Sequence, residues 1–213
     1  MKRLLFAAMA CLPLYAQAEE AAQTIATQGT KQGTPACQSC HGADGGGMAA
    51  GGFPRLAGLS EAYLERQLMN FRSGKRTSPI MQPIVATLSE KEVAQLAAYF
   101  AALPAPVITP ASSDVALLAK GAAIATTGDW GREIPACFQC HGPGGRGVGA
   151  DFPAIAGQSS LYVSNQIAAW KNGRRSNDPA GLMKAVADKL SADQVKAVSA
   201  FIASQPTTNG TQK

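Results

Sequence analysis

Apolar residues recur at helical spacing in several separate stretches of this chain. Val93, Leu96, Ala97 and Phe100 share one helix face, and Val195, Val198 and Ile202 repeat it with polar Ser199 as an interruption. Ahead of each run stands a serine with Glu or Gln three residues on, Ser89 with Glu92 and Ser191 with Gln194. That spacing is a capping box, in which two orphan donors of a helix start satisfy each other's side chains. Ser60, and Ser159 or Ser160, can cap an earlier helix in each half that stops near Gly74 or Gly173. Opening helices are predicted over residues 19–28 and 114–126. No run alternates as a half-buried strand would, so the pattern predicts an all-α fold.

The pattern occurs twice because the sequence does. Pro35-Ala36-Cys37-Gln38-Ser39-Cys40-His41-Gly42 reappears as Pro135-Ala136-Cys137-Phe138-Gln139-Cys140-His141-Gly142. Phe53-Pro54-Arg55-Leu56-Ala57-Gly58 reappears as Phe152-Pro153-Ala154-Ile155-Ala156-Gly157. Tyr63 and Gln67 match Tyr162 and Gln166, Gly74-Lys75-Arg76 matches Gly173-Arg174-Arg175, and Leu88-Ser89 matches Leu190-Ser191. Motifs in the same order, with small drifts in spacing, mean tandem duplication with loop indels. The predicted organisation is two similar domains, residues 19–103 and 114–213. Between them, residues 104–113 hold three prolines, an extended strap of roughly 3 Å per residue.

Each unit is short and rich in glycine loops, so its apolar core is thin and needs a supplement. A large flat cofactor bonded to the chain would provide one. The composition, 46% hydrophobic and 15% charged, is that of a folded protein. A net charge of +5 favours acidic partners weakly and is far from the basic stripe of a nucleic-acid binder. Lys2 and Arg3, an apolar stretch from Leu4 to Tyr15, and Ala16-Gln17-Ala18 form a secretory signal with cleavage expected after Ala18. Its loss takes the net charge to +3, since 5 minus Lys2 and Arg3 leaves 3. A lipoprotein site at Cys11 is the weaker reading, because the leucine usual before such a cysteine is missing. No later segment is long and apolar enough to span a membrane. The mature chain is expected in the periplasm, soluble or loosely associated with the membrane surface.

The chemistry lies in the four remaining cysteines. Two disulfides are one use for them in an oxidising compartment. Cys-x-x-Cys-His, however, is the attachment sequence of c-type haem. Two thiols add to the two porphyrin vinyl groups, one helical turn reaches both, and the adjacent histidine lies under the ring to hold the iron. Cys37, Cys40 and His41 form one such set, and Cys137, Cys140 and His141 the other; His41 and His141 are the only histidines in the chain. A redox dithiol needs a βαβ context, and a zinc site needs four ligands at tetrahedral geometry. Each copy offers three ligands, with His beside Cys. Two c-type haems are therefore expected.

A second axial ligand on the far face would be methionine, which raises the potential of the iron. Met48 and Met69 have no counterparts in the second copy. Met81 and Met183 do, each seven residues before its Leu-Ser, in what reads as a loop ahead of the last helix. The alternative is a pair of core methionines. The carbonyls of Pro54 and Pro153 are expected to accept from the second ring nitrogen of His41 and His141, with Leu56 and Ile155 pressing on the cofactor; alternatively, Phe-Pro only turns the chain. Arg72, Lys75 and Arg76 match Lys171, Arg174 and Arg175. Two readings suit these cations, charges complementing a helix dipole or an exposed rim steering acidic partners.

The ordered set, given twice, resembles cytochrome c4, a di-haem family of two tandem class I cytochrome c domains. The resemblance spans the whole mature chain. It implies His41 with Met81 and His141 with Met183 on the two irons, and thioethers at Cys37, Cys40, Cys137 and Cys140. It also implies approximate two-fold symmetry with the haem edges facing each other, and electron flow from a respiratory donor such as a bc1 complex toward a terminal oxidase. The sequence departs from an even repeat at Met48, in the glycine-rich loop of copy one, and in the longer insert through Trp130 of copy two. The function expected is electron carriage, with no substrate pocket and no catalytic residue. A di-haem peroxidase or dehydrogenase and a gas sensor are the rivals, and both need an open iron position that the repeated methionines argue against. A dedicated electron-accepting subunit of a dehydrogenase would share the chemistry and differ in partner.

Overall fold

Both capping boxes close in a computed structural model of the chain, which describes residues 14–107 and 112–207. Ser89 Oγ accepts from Glu92 N at 3.2 Å while Ser89 N donates to Glu92 Oε2 at 2.7 Å. In the second box, Ser191 Oγ accepts from Gln194 N at 3.2 Å and Ser191 N donates to Gln194 Oε1 at 2.9 Å. The helices they start are α5 (Glu90–Ala102) and α10 (Ala192–Ser204). The first half also holds α1 (Leu14–Gln28), α2 (Gln38–His41), α3 (Glu61–Arg72) and α4 (Met81–Ala86). The second repeats them as α6 (Val115–Thr126), α7 (Cys137–His141), α8 (Ser160–Lys171) and α9 (Leu182–Lys189). Among the described residues there are only isolated β-bridges, no β-strand, and no helix long and apolar enough to cross a membrane.

Local differences from the sequence reading have local causes. The signal-peptide reading of residues 1–18 falls mostly outside the described residues. Helix α1 is already present at Leu14, where the described residues begin, and so includes residues ahead of the expected Glu19; Ala16 to Ala22 is a run of good helix formers. Ser159 caps α8 by accepting from Tyr162 N at 3.2 Å, whereas Ser60 stands at the start of α3 without a side-chain cap. Met81 begins one short helix and Met183 is the second residue of another, where loops were expected. Pro83 sits in the first turn of α4, where its missing N–H is not needed.

Each half buries its own core. Ile25, Leu64, Val93, Leu96 and Phe100 join α1, α3 and α5, while Ile124, Ile167, Val198 and Ile202 join α6, α8 and α10. Helices α6 and α10 cross so closely that a Cβ on Gly121 would stand 2.2 Å from Ala197 O.

The halves meet through a reciprocal polar seam. Thr77 N donates to Arg174 O and Ser176 N to Lys75 O, both at 2.8 Å. The Arg76 guanidinium reaches Tyr162 Oη at 2.8 Å, Gln166 Oε1 at 2.7 Å and Gln67 Oε1 at 3.1 Å. Arg175 answers with Tyr63 Oη at 3.2 Å, Gln67 Oε1 at 3.0 Å and Gln166 Oε1 at 3.1 Å. Each guanidinium also lies over a ring of its own half, Arg76 on Phe71 at 4.5 Å and Arg175 on Trp170 at 3.9 Å. Such an exchange of like contacts is what a two-fold relation between the halves requires.

The docking-rim reading fails for Arg76 and Arg175, which are 7% and 4% exposed. Their tyrosine and glutamine partners satisfy the guanidiniums inside, which a surface charge would not need. Arg72 and Lys171 fold back on carbonyls, reaching Leu88 O and Leu190 O at 2.5 Å, and so tie α3 to α4 and α8 to α9. Lys75 and Arg174 stay exposed.

Two stability outcomes follow. Gly121→Ala gains about 1 kcal/mol of helix propensity but overpacks the α6–α10 crossing at about 1–3 kcal/mol. Thermal unfolding should therefore begin at a lower temperature, and an equal or higher midpoint would show that the crossing has slack. Arg76→Met and Arg175→Met each strand buried acceptors, at roughly 1–3 kcal/mol. Because the two cations repel and share Gln67 and Gln166, the double variant should lose less than the sum of the singles by about 0.5–3 kcal/mol. Strict additivity in denaturant unfolding would contradict that coupling.

Candidate haem sites

One helical turn carries each attachment motif. In α2 the His41 N–H donates to Cys37 O at 2.9 Å and the Cys40 N–H to the same carbonyl at 3.2 Å, so both thiols and the imidazole leave one turn. None of Cys37, Cys40, Cys137 and Cys140 forms a disulfide. Burial pushes the Cys37 and Cys137 thiols up to about 11. Such buried thiols lack the lowered pKa that activates a redox dithiol. Among the described residues no group of three or more His, Cys, Asp or Glu could hold a metal ion by itself.

The histidines are held as the sequence reading expected. His41 Nδ1 donates to Pro54 O at 2.9 Å and His141 Nδ1 to Pro153 O at 2.8 Å. A carbonyl can only accept, so the proton is on Nδ1 and the lone pair of the neutral ring on Nε2. Burial lowers both imidazoles below their ordinary value; the proline carbonyls oppose that, and Arg76 and Arg175 add to it. Phe53 and Phe152 meet the imidazoles edge-on, with centroids 6.3 and 6.4 Å away. The loop must return tightly to bring Pro54 there. Gly47, at φ +87°, has no room for a Cβ, which would lie 2.6 Å from Arg55 N.

A cavity of about 440 Å³ lies over the first motif, within the range of cofactor pockets. Its wall includes Cys37, Cys40, His41, Leu56 and Met81, and also Tyr162 and Gln166 from the other half. A narrower cavity of about 120 Å³ lies against the second motif, lined by His141, Pro153, Trp170 and Met183, with Tyr63 and Gln67 from the first half. The structure thus brings His41 to one cavity with Met81, and His141 to the other with Met183. Ile155 packs against the second core. Met69 packs against the first core, and Met48 is half exposed.

The first cavity fits a flat apolar ring that carries its own carboxylates, and the second, smaller one repeats its histidine, methionine and arginine. Arg76 lines the first cavity and Arg175 the second, and neither is paired with an acidic side chain; the ion pairs among the described residues are Arg66–Asp151, Lys184–Asp188 and Lys189–Glu133. The indole Nε1 of Trp170 is buried without a partner beside the second cavity. Asp151 and Asp178 also line the second cavity, but neither pairs with Arg175, and haem would bring carboxylates of its own.

Sequence reasoning missed the role of this seam. Tyr63, Gln67, Arg76 and their counterparts stood out as repeated marks, but repetition alone did not say that each faces the other half. Arg55 was missed altogether because it does not repeat. It is 3% exposed, and its guanidinium donates to Ala57 O at 2.6 Å and across the seam to Ala156 O at 3.0 Å. Burial lowers it to about 10, so it stays charged at neutral pH.

A protein-family model described as cytochrome c matches residues 20–104 and 118–206. A thiosulfate dehydrogenase electron acceptor of Stutzerimonas stutzeri is 49% identical over 199 residues, covering 92% of each chain. The solved thiosulfate dehydrogenase of Marichromatium purpuratum superposes with a TM-score of 0.83 at 48% identity, over 88% of this chain and 40% of that one. Reduced cytochrome c4 from Pseudomonas stutzeri superposes with a TM-score of 0.76 at 32% identity, over 88% of this chain and 98% of that one. With two haem c groups to carry, one on each repeat, the chain belongs to the cytochrome c family and is a di-haem electron carrier of the cytochrome c4 kind.

Proposed function

We propose that the mature chain, residues 19–213, works in the periplasm as the electron acceptor of a thiosulfate-oxidising dehydrogenase. The observation that carries this reading is 49% identity to such an acceptor across 92% of both chains. Domains at 19–103 and 114–213, joined by 104–113, each take one haem. His41 and Met81 would hold the first iron, and His141 and Met183 the second. Cys37, Cys40, Cys137 and Cys140 hold the rings as thioethers.

Bound haem supplies a one-electron ferric–ferrous couple. The chain's own residues determine how that couple behaves. The Pro54 and Pro153 carbonyls fix the imidazole planes and make Nε2 a stronger donor. With Met81 and Met183 also held to the irons, no coordination position would remain open to a substrate. Both cavities include wall residues from the opposite half, so haems held in them would border one shared seam. Joining two thiosulfate anions through a new sulfur–sulfur bond releases two electrons, one for each half of this chain. A second reading, a carrier from a bc1 complex to a terminal oxidase, rests on the cytochrome c4 superposition.

The oxidised di-haem protein, mixed with a catalytic amount of thiosulfate dehydrogenase, should become reduced when thiosulfate is added, at a rate set by the dehydrogenase. If the dehydrogenase and thiosulfate leave it oxidised, while a bc1 complex with quinol reduces it, the second reading replaces the first.

A further inference from the structure

The two halves differ at one buried position beside the first haem site. Arg55 follows Pro54, whose carbonyl holds His41, and its side chain lines the first cavity. The second copy has Ala154 at that place. Arg55 is enclosed by carbonyls: its guanidinium reaches Ala57 O and Ala156 O, and no acidic side chain pairs with it. Gln158 of the other half locks the backbone in place, with Oε1 accepting from Arg55 N at 3.1 Å and Nε2 donating to Arg55 O at 2.8 Å. That glutamine is unmatched too, since Leu59 holds its place in the first copy. The chain therefore keeps two non-repeated polar residues together to hold one buried cation.

We infer that Arg55 is a positioning residue of the electron-transfer chemistry, a fixed positive charge that raises the reduction potential of the N-terminal haem selectively. Reduction adds one electron and lowers the charge of the iron centre by one unit. A neighbouring cation favours the reduced form, and burial keeps water from screening it. The proximal loop of the C-terminal haem has a methyl group there instead. Two otherwise similar His/Met sites thus acquire different affinities for the electron, and Arg55 biases it toward the N-terminal half. This inference rests on axial ligation of that haem by His41, as proposed above.

The test is potentiometric titration of the purified di-haem protein. Met183→His marks the C-terminal haem, because imidazole in place of a thioether lowers its potential. In that background, Arg55→Met should lower the remaining high-potential component more than the marked one, and Arg55→Lys, which keeps the charge, should largely restore it. If Arg55→Met fails to assemble, Gln158→Glu leaves the arginine in place, sets a carboxylate against the loop it anchors, and should lower the same component. Unchanged potentials in a protein that carries both haems, or equal shifts of both, would overturn the role of Arg55. A protein in which Met183→His shifts neither component would instead overturn the ligand assignment.

Discussion

A histidine side chain pinned by a proline carbonyl is the contact around which each half is arranged. The bond from Nδ1 leaves Nε2 with the lone pair and sets the plane of the ring. Making it requires the chain to turn back within about a dozen residues of the motif, which explains the glycine-rich loop and the Gly47 position where a side chain cannot fit. The Phe-Pro segment then leads into α3 or α8, and the next connection brings α4 or α9, with its methionine, to the same cavity. The thin core of each unit is explained by the same arrangement, because its helices are built to close on a cofactor as well as on one another.

The seam between the halves follows from a second constraint. Arg76 and Arg175 are buried, alike in charge, and matched by tyrosines and glutamines with no acidic side chain. A like-charged pair inside a protein is unfavourable unless anions face it. Haems held in the cavities that Arg76 and Arg175 line would bring carboxylates toward this pair and lower that cost. The duplicated sequence is what makes this possible, since each contact is made twice by equivalent residues.

Much of the molecule was legible in the sequence because local chemistry decided it. The capping boxes at Ser89 and Ser191, the cysteine–histidine turns and the Pro54 and Pro153 acceptors depend on residues near in sequence or on an explicit motif. Duplication supplied an internal comparison that singled out Met81 and Met183, and the structure brings each to the cavity of its own histidine. What failed was position relative to the other half. Nothing in Gly-Lys-Arg tells whether the last arginine faces water or a facing tyrosine, and neither the helix-dipole reading nor the rim reading placed it in the seam. Arg55 and Gln158 gave no signal at all, since they interact across 103 residues and neither repeats.

In the proposed function both irons are closed and six-coordinate, exchange electrons and bind no external ligand. Carbon monoxide added to the fully reduced, purified protein tests this most directly. The absorption spectrum should remain that of the reduced protein, with both methionines retained. A spectral change in half or all of the haem would place an open iron in the chain and turn its function toward catalysis or sensing.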